Sequence, residues 1–252
     1  MSRPARWSPE GVYLALDTSG PLGSVAIARG PRVLGRAYLP ERTEQAASLV
    51  PALRSVLDQA GLRPDAIDGV VVGAGPGSFT GVRIAAATAK GMAHALGVPL
   101  WAFSSLAAGA VSDLALPTAA RPPAWSTGAT ATAATLRWVV FDARGERVYA
   151  ALYRTRSGRL EEVAPPRATQ IGELLAAPLA AGVSFAGDGA LRHRDRISAA
   201  GFDVLDAPAG FPTADGLIHL LRVQRVPPLA DPGGWEPEYL QATSAERERD
   251  GR

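Results

Sequence analysis

The apolar positions fall into runs that sort the chain into strands and helices. Residues 12–18, VYLALDT, form an apolar run closed by an acid and a hydroxyl, the pattern of a buried strand. SVAIAR and VLGRAYL follow, separated by the turn signals SGPLG and GP, so three short strands run in succession. From Thr43 to Ala60 the period changes. Leu49, Leu53, Val56 and Ala60 recur at helical spacing, with Pro51 inside, where it removes a hydrogen bond and bends the helix. GVVVG predicts a further buried strand, Thr80–Leu96 a second helix and PLWAF another strand.

The second half repeats the opening. LRWVVFDA and RVYAALYR predict a strand pair around RGE, and VSFAGDG a later strand. Helices are expected over Gln170–Ala180, Ala190–Ala200 and Thr213–Val223. Each half opens on a strand ending in an acid, Asp17 and Asp142, which predicts a duplicated α/β fold. The first lobe is expected at 1–104 and the second at 105–240, with helix 213–223 packing back on the first. The Pro/Ala/Thr-rich segment 117–135 predicts a flexible insert, and 241–252 a solvated tail.

Composition narrows the chemistry. There is no cysteine, which excludes disulfides, thiolate metal sites and cysteine nucleophiles. The formal net charge of +2 gives no overall basic field. Lys90 is the lone lysine among 26 basic residues, and the arginines are spread along the chain. MSRPARWSPE lacks the apolar core of a signal peptide, and no uncharged apolar run is long enough to span a bilayer. A cytoplasmic protein with no membrane partner is expected.

The stretch GAGPGSFTGVR carries the clearest candidate chemistry. Its glycines permit close backbone approach, and Ser78 or Thr80 can cap the helix that follows. The first turn of that helix can bind an anion. The spacing is neither GxxxxGK[ST] nor GxGxxG, and no lysine is near. Two readings stand: an anion cradle, or a tight strand-to-helix turn capped by its own hydroxyl. The helix itself is built of small residues, among them Gly81, Ala85, Ala86, Ala89, Gly91 and Ala93. It suits burial within one chain or close packing against a partner chain.

LALDTSGPLGSVAI and GAGPGSFTGVRIAAATAKGMAHALGVPLWAFSSLAA together resemble the TsaB family. FDARGERVYAALY, FAGDGA and the late EPEYL match in the expected order. The resemblance implies the actin-like ATPase fold, with two duplicated lobes. It implies a noncatalytic subunit of the assembly that makes threonylcarbamoyladenosine in tRNA. Its partners would be a catalytic TsaD-like paralogue and a TsaE-like ATPase, with tRNA met through the complex and a homodimer when alone. The two first-lobe helices, 43–60 and 80–96, would form the partner bundle. The surface expected there is Leu49, Ala52, Leu53 and Val56 on the first helix, and Val82, Ala85, Ala86, Ala89 and Ala93 on the second. ERTEQAAS stands where the family often has RHSE, and Arg147 interrupts the usual GEVY.

The catalytic paralogue holds its metal with two histidines four residues apart. Here His94, His193 and His219 have no such partner, so no metal site and no catalytic residue are expected. Asp17, Thr18 and Ser19, with Gly75, Gly77, Ser78, Thr80 and Gly81 as further candidates, read as half a phosphate clamp, since FDARGE at Asp142 lacks the Gly-Gly-Thr type turn that would complete it. It reads either as a vestigial site for weak ATP or ADP with Mg²⁺, or as a strand-end carboxylate capping nearby N–H groups. LRHRDR, at 191–196, reads as a solvated helix face rather than an RNA contact. The alternative function is a stand-alone small ATPase or kinase of the same superfamily, with Asp17 essential.

Overall fold

A computed structural model of the protein describes residues 6–39, 45–115, 135–178 and 182–240. Two five-stranded sheets organise it. The first contains β1 (Val12–Asp17), β2 (Gly23–Arg29), β3 (Arg32–Leu39), β4 (Gly69–Gly73) and β5 (Leu100–Phe103), in the order β3-β2-β1-β4-β5. β1, β2 and β3 form an antiparallel meander, while β4 and β5 run parallel to β1. The second sheet contains β6 (Thr135–Asp142), β7 (Arg147–Arg156), β8 (Arg159–Gln170), β9 (Ser184–Ala186) and β10 (Asp203–Val204). Its order, β10-β9-β6-β7-β8, is the first order repeated from the other edge. The opening strand of each lobe, β1 or β6, lies in the centre and ends in its acid.

Strand alternation decides which helix covers which face. Leu14, Leu16, Val25, Ile27, Val70 and Val72 share one face of the first sheet. Against them pack α1 (Gln45–Ala60), through Leu49, Leu53 and Val56, and α2 (Phe79–Leu96), through Ala85, Ala89 and Ala93. The intervening positions Tyr13, Ala15, Ala26, Ala28 and Val71 face the other way. They meet α3 (Ser105–Ala110), α4 (Ser112–Ala115) and α8 (Ala214–Gln224), which together separate the two sheets. The same core takes in Val139, Phe141, Ala151 and Tyr153 from the second sheet. The outer face of that sheet is covered by α5 (Ile171–Ala176), α6 (Asp188–Arg192) and α7 (Arg194–Ala199). Each fully buried Leu, Ile or Val contributes roughly 1.5–3 kcal/mol.

Buried polar contacts fasten the layers. Arg137 on β6 pairs bidentately with Asp113 on α4, at 2.9 and 3.0 Å, both side chains out of water. Arg36 on β3 reaches Asp215 in the first turn of α8 at 2.9 Å. Burial pushes the Asp215 carboxyl up, and the Arg36 guanidinium pulls it back. The segment after α8 returns to the first lobe. Leu229 N donates to Leu100 O, Trp101 Nε1 to Val226 O, Lys90 Nζ to Gly233 O and Glu238 N to Ala74 O.

Several elements differ from the sequence expectation. α2 starts at Phe79, because Ser78 is its N-cap and accepts from Gly81 N. The helix expected over 190–200 is broken at His193, which closes α6 and opens α7. The helix expected over 170–180 spans Ile171–Ala176, with Ala177 already extended. β8 is absent from the sequence expectation, since Pro165 and Pro166 interrupt its strand pattern; the edge position and the irregularity where pairing with β7 slips between Ala150 and Leu152 together accommodate them. Thr43, Glu44, residues 117–134 and the tail 241–252 lie outside the described residues, and Thr135 already belongs to β6.

Candidate functional site

β1 delivers Asp17 to the carboxyl end of the first sheet, beside the glycine turn that follows β4. Asp17 is 1% exposed. Its Oδ1 accepts from Ser19 N at 2.7 Å and Ser19 Oγ at 2.6 Å, and its Oδ2 from Ser105 Oγ at 2.8 Å. Burial pushes its carboxyl above the ordinary 3.8, against the pull of those Ser19 and Ser105 hydrogen bonds. Both carboxylate oxygens are therefore engaged by the chain itself.

The glycine turn lies directly on residues 17–19. Ser78 N donates to Ser19 O at 2.8 Å, and Thr18 Oγ1 donates to Gly81 O at 2.6 Å. A Cβ at Gly81 would stand 1.9 Å from Thr18 O, one at Gly77 2.5 Å from Ser19 O, and one at Gly73 1.9 Å from Asp17 Oδ2. Gly75 N donates to Ser105 Oγ at 3.2 Å, and Gly75 O accepts from Ser105 N. Of the eight residues singled out around a phosphate, the structure brings Asp17, Thr18, Ser19, Gly77, Ser78 and Gly81 together and links Gly75 to Asp17 through Ser105. Thr80 stays exposed on the outer side of the first turn. Glycine at 77 and 81 lets one backbone rest on the other, and glycine at 73 leaves room for the Asp17 carboxylate.

Ser105 is the residue that sequence reasoning missed. The SerSer pair after PLWAF was its signal, because Ser104 caps α3 and Ser105 then points back at Asp17. The second-lobe counterpart is also occupied. Asp142 Oδ2 pairs with Arg192 and its Oδ1 accepts from Arg144 N. Arg194 pairs with Asp206 and Arg196 with Glu146, so all three arginines of 191–196 have acid partners. His94 is exposed near the end of α2, His193 lies between α6 and α7, and His219 is on α8. Among the described residues no three His, Asp or Glu side chains converge to hold a metal.

The side chains expected to meet a partner face inward instead. Leu49, Ala52, Leu53, Val56, Val82, Ala85, Ala86, Ala89 and Ala93 are all buried in this single chain. The spacing that marks them is the period of their packing on the sheet. The outward faces carry other residues: Val50, Pro51, Arg54 and Ser55 on α1, and Arg83, Ala87, Gly91 and His94 on α2. Val50 is 53% exposed, and it lines a shallow concavity of about 520 Å³ with Pro51, Arg54, Ser55, Asp58 and Gln59.

Two lobes with the same strand order, each opening on a central strand that ends in an acid, define an actin-like ATPase fold. The family model for TsaD, tRNA N6-adenosine threonylcarbamoyltransferase, matches residues 39–204. The tRNA threonylcarbamoyladenosine biosynthesis protein TsaB of Bacillus subtilis is 30% identical over 162 residues, covering 64% of this chain and 63% of that protein. Its Escherichia coli namesake is 34% identical over 93 residues, covering 37% of this chain and 40% of that protein. A Pseudomonas aeruginosa crystal structure, described as an uncharacterized protein with similarity to peptidase YEAZ, superposes with a TM-score of 0.69. That likeness is 30% identical and covers 92% of this chain and all of that one. The chain belongs to the TsaB family. The match spans less than two thirds of the length of the B. subtilis relative. No helix among the described residues is long and apolar enough to cross a membrane.

Proposed function

We propose that this chain is a noncatalytic assembly subunit in the synthesis of threonylcarbamoyladenosine in tRNA. It binds a TsaD-like catalytic paralogue and holds it in an active arrangement, with a TsaE-like ATPase joining the assembly. The observation that carries the noncatalytic reading is the closed Asp17 carboxylate. An acid that serves Mg²⁺-bound water must present at least one oxygen to the cleft. Here Ser19 takes both acceptor sites of Oδ1 and Ser105 one of Oδ2, the residue is buried to 1% exposure, and the glycine turn rests on the backbone behind it. The relatives named for tRNA threonylcarbamoyladenosine biosynthesis support the pathway.

The docking surface is the outward side of α1 and α2. α2 presents Ala87 and Gly91 there, small enough for another helix to approach closely, and nothing lies within 4 Å of a Cβ built on Gly91. α1 adds the exposed Val50 and Pro51. The same surface serves a homodimer when the partner is absent. Size-exclusion chromatography with light scattering, on the chain alone and mixed with its TsaD-like subunit, tests this. A mixed species with the mass of a heterodimer is expected. Two unshifted peaks would defeat the reading and favour a stand-alone ATPase.

A further inference from the structure

The hairpin joining β7 to β8 ends in Arg-Thr-Arg-Ser-Gly-Arg, residues 154–159. Ser157 and Gly158 both have positive φ, 51° and 75°, the conformation that a two-residue hairpin turn requires. Register pairs Arg156 with Arg159 and Arg154 with Glu161. Alternation then puts all four side chains on one face. Arg154 is matched by Glu161, whose oxygens lie 3.0 and 3.1 Å from its Nη1. Arg156 and Arg159 are exposed and have no acid partner among the described residues. Like charges directly opposite across a ladder destabilise it. The turn between them is nevertheless anchored. His219 on α8 hydrogen-bonds Gly158 O through Nε2 at 2.8 Å, with Arg222 beside its Nδ1, so the turn is tied to the interlobe layer. The three arginines border an open concavity of about 680 Å³.

We infer that this hairpin tip docks the phosphodiester backbone of RNA. The inference rests on the reading of the chain as a subunit of a tRNA-modifying assembly. Guanidinium forks match phosphate oxygens bidentately, and two unpaired forks on one face of an anchored turn fit a polyanion better than a single carboxylate. The face carries no aromatic residue to stack a base, so the contact positions the RNA without reading its sequence. The turn itself is Ser-Gly and has no apolar wedge for a bilayer. The contrast with 191–196 is chemical: there every arginine is neutralised by an acid.

The test measures binding of a labelled, unmodified tRNA transcript to the assembled complex between about 50 and 200 mM salt. Wild type, Arg156→Ala/Arg159→Ala and the charge-matched control Arg194→Ala/Arg196→Ala are compared. Each phosphate contact contributes about 0.8 to the slope of log K against log salt, so the first double variant should lose about 1.6 in slope, or about 40-fold in affinity at 0.1 M. Its melting temperature should hold or rise, since a repulsive pair is removed. An unchanged slope, an equal loss in the control, or no tRNA binding by the wild-type complex overturns the inference. So does capture by phosphatidylserine vesicles in place of tRNA. Complex formation is weighed in the same samples. If the complex does not form, the assembly reading fails; if it forms with an unchanged slope, only the hairpin inference fails.

Discussion

Substituting Gly81 by alanine separates a packed turn from an open cradle. A helix interior gains about 1 kcal/mol from alanine over glycine. At Gly81 that gain is opposed, because the new Cβ would stand 1.9 Å from Thr18 O, with the next atom at 2.9 Å. α2 must retreat by about 1 Å, an overpacking that costs about 1–3 kcal/mol. The retreat also breaks the 2.6 Å hydrogen bond from Thr18 Oγ1 to Gly81 O, worth about 1 kcal/mol. The net is a loss of about 1–3 kcal/mol, and a chain of this size then melts about 3–10 °C lower. Gly91 is the internal reference. It sits on the same helix with open space around the position its Cβ would take, nothing lying within 4 Å, so Gly91→Ala should raise stability by up to about 1 kcal/mol. Urea denaturation followed by far-ultraviolet circular dichroism reads both. If Gly81→Ala proves as stable as Gly91→Ala, the turn does not rest on residues 17–19 and Asp17 is not closed off by it.

Removing one partner of the Arg137–Asp113 pair should be far worse than removing both. Asp113→Ala strands a buried guanidinium and should cost about 3–5 kcal/mol, while Arg137→Met with Asp113→Leu should fall near wild type; the same urea curves decide. His219 gives a pH signature. Burial, with Arg222 adding repulsion, lowers its pKa below the ordinary 6.5, so the unfolded chain binds the proton first. Stability should therefore fall as pH drops from about 6.5 through the folded value, and His219→Gln should flatten that slope in melts at pH 5 to 8. Calorimetric titration with Mg-ATP should give coincident curves for wild type and Asp17→Asn. A saturable site lost only in the variant would restore the enzyme reading.

The two-lobe plan was legible because each lobe opens on a strand closed by an acid, followed by a turn and a second strand. The glycine turn left two readings open, since a backbone laid on phosphate and a backbone laid on Thr18 need the same residues. The position of Ser105, set by the start of α3 at the end of β1, favours the packed turn. Helix faces were harder. Ala85, Ala89 and Ala93 repeat as a partner-facing stripe would, but alanine also suits a helix pressed close against a sheet, and that is where they lie. Ala86→Arg and Ala89→Arg would therefore break the fold rather than an interface, and Val50 and Ala87 are the positions to perturb instead. β8 is hidden by its two prolines, which an edge strand accepts where its pairing slips.

The most direct test of the account is calorimetric binding of the TsaD-like subunit to two variants of this chain. Val50→Arg/Ala87→Arg changes only outward-facing positions and should leave the melting temperature in place while abolishing association. Asp17→Asn should associate as wild type does. Association that survives the first variant and is lost in the second would contradict the account, placing the function at the acid and its turn rather than on the outer faces of α1 and α2.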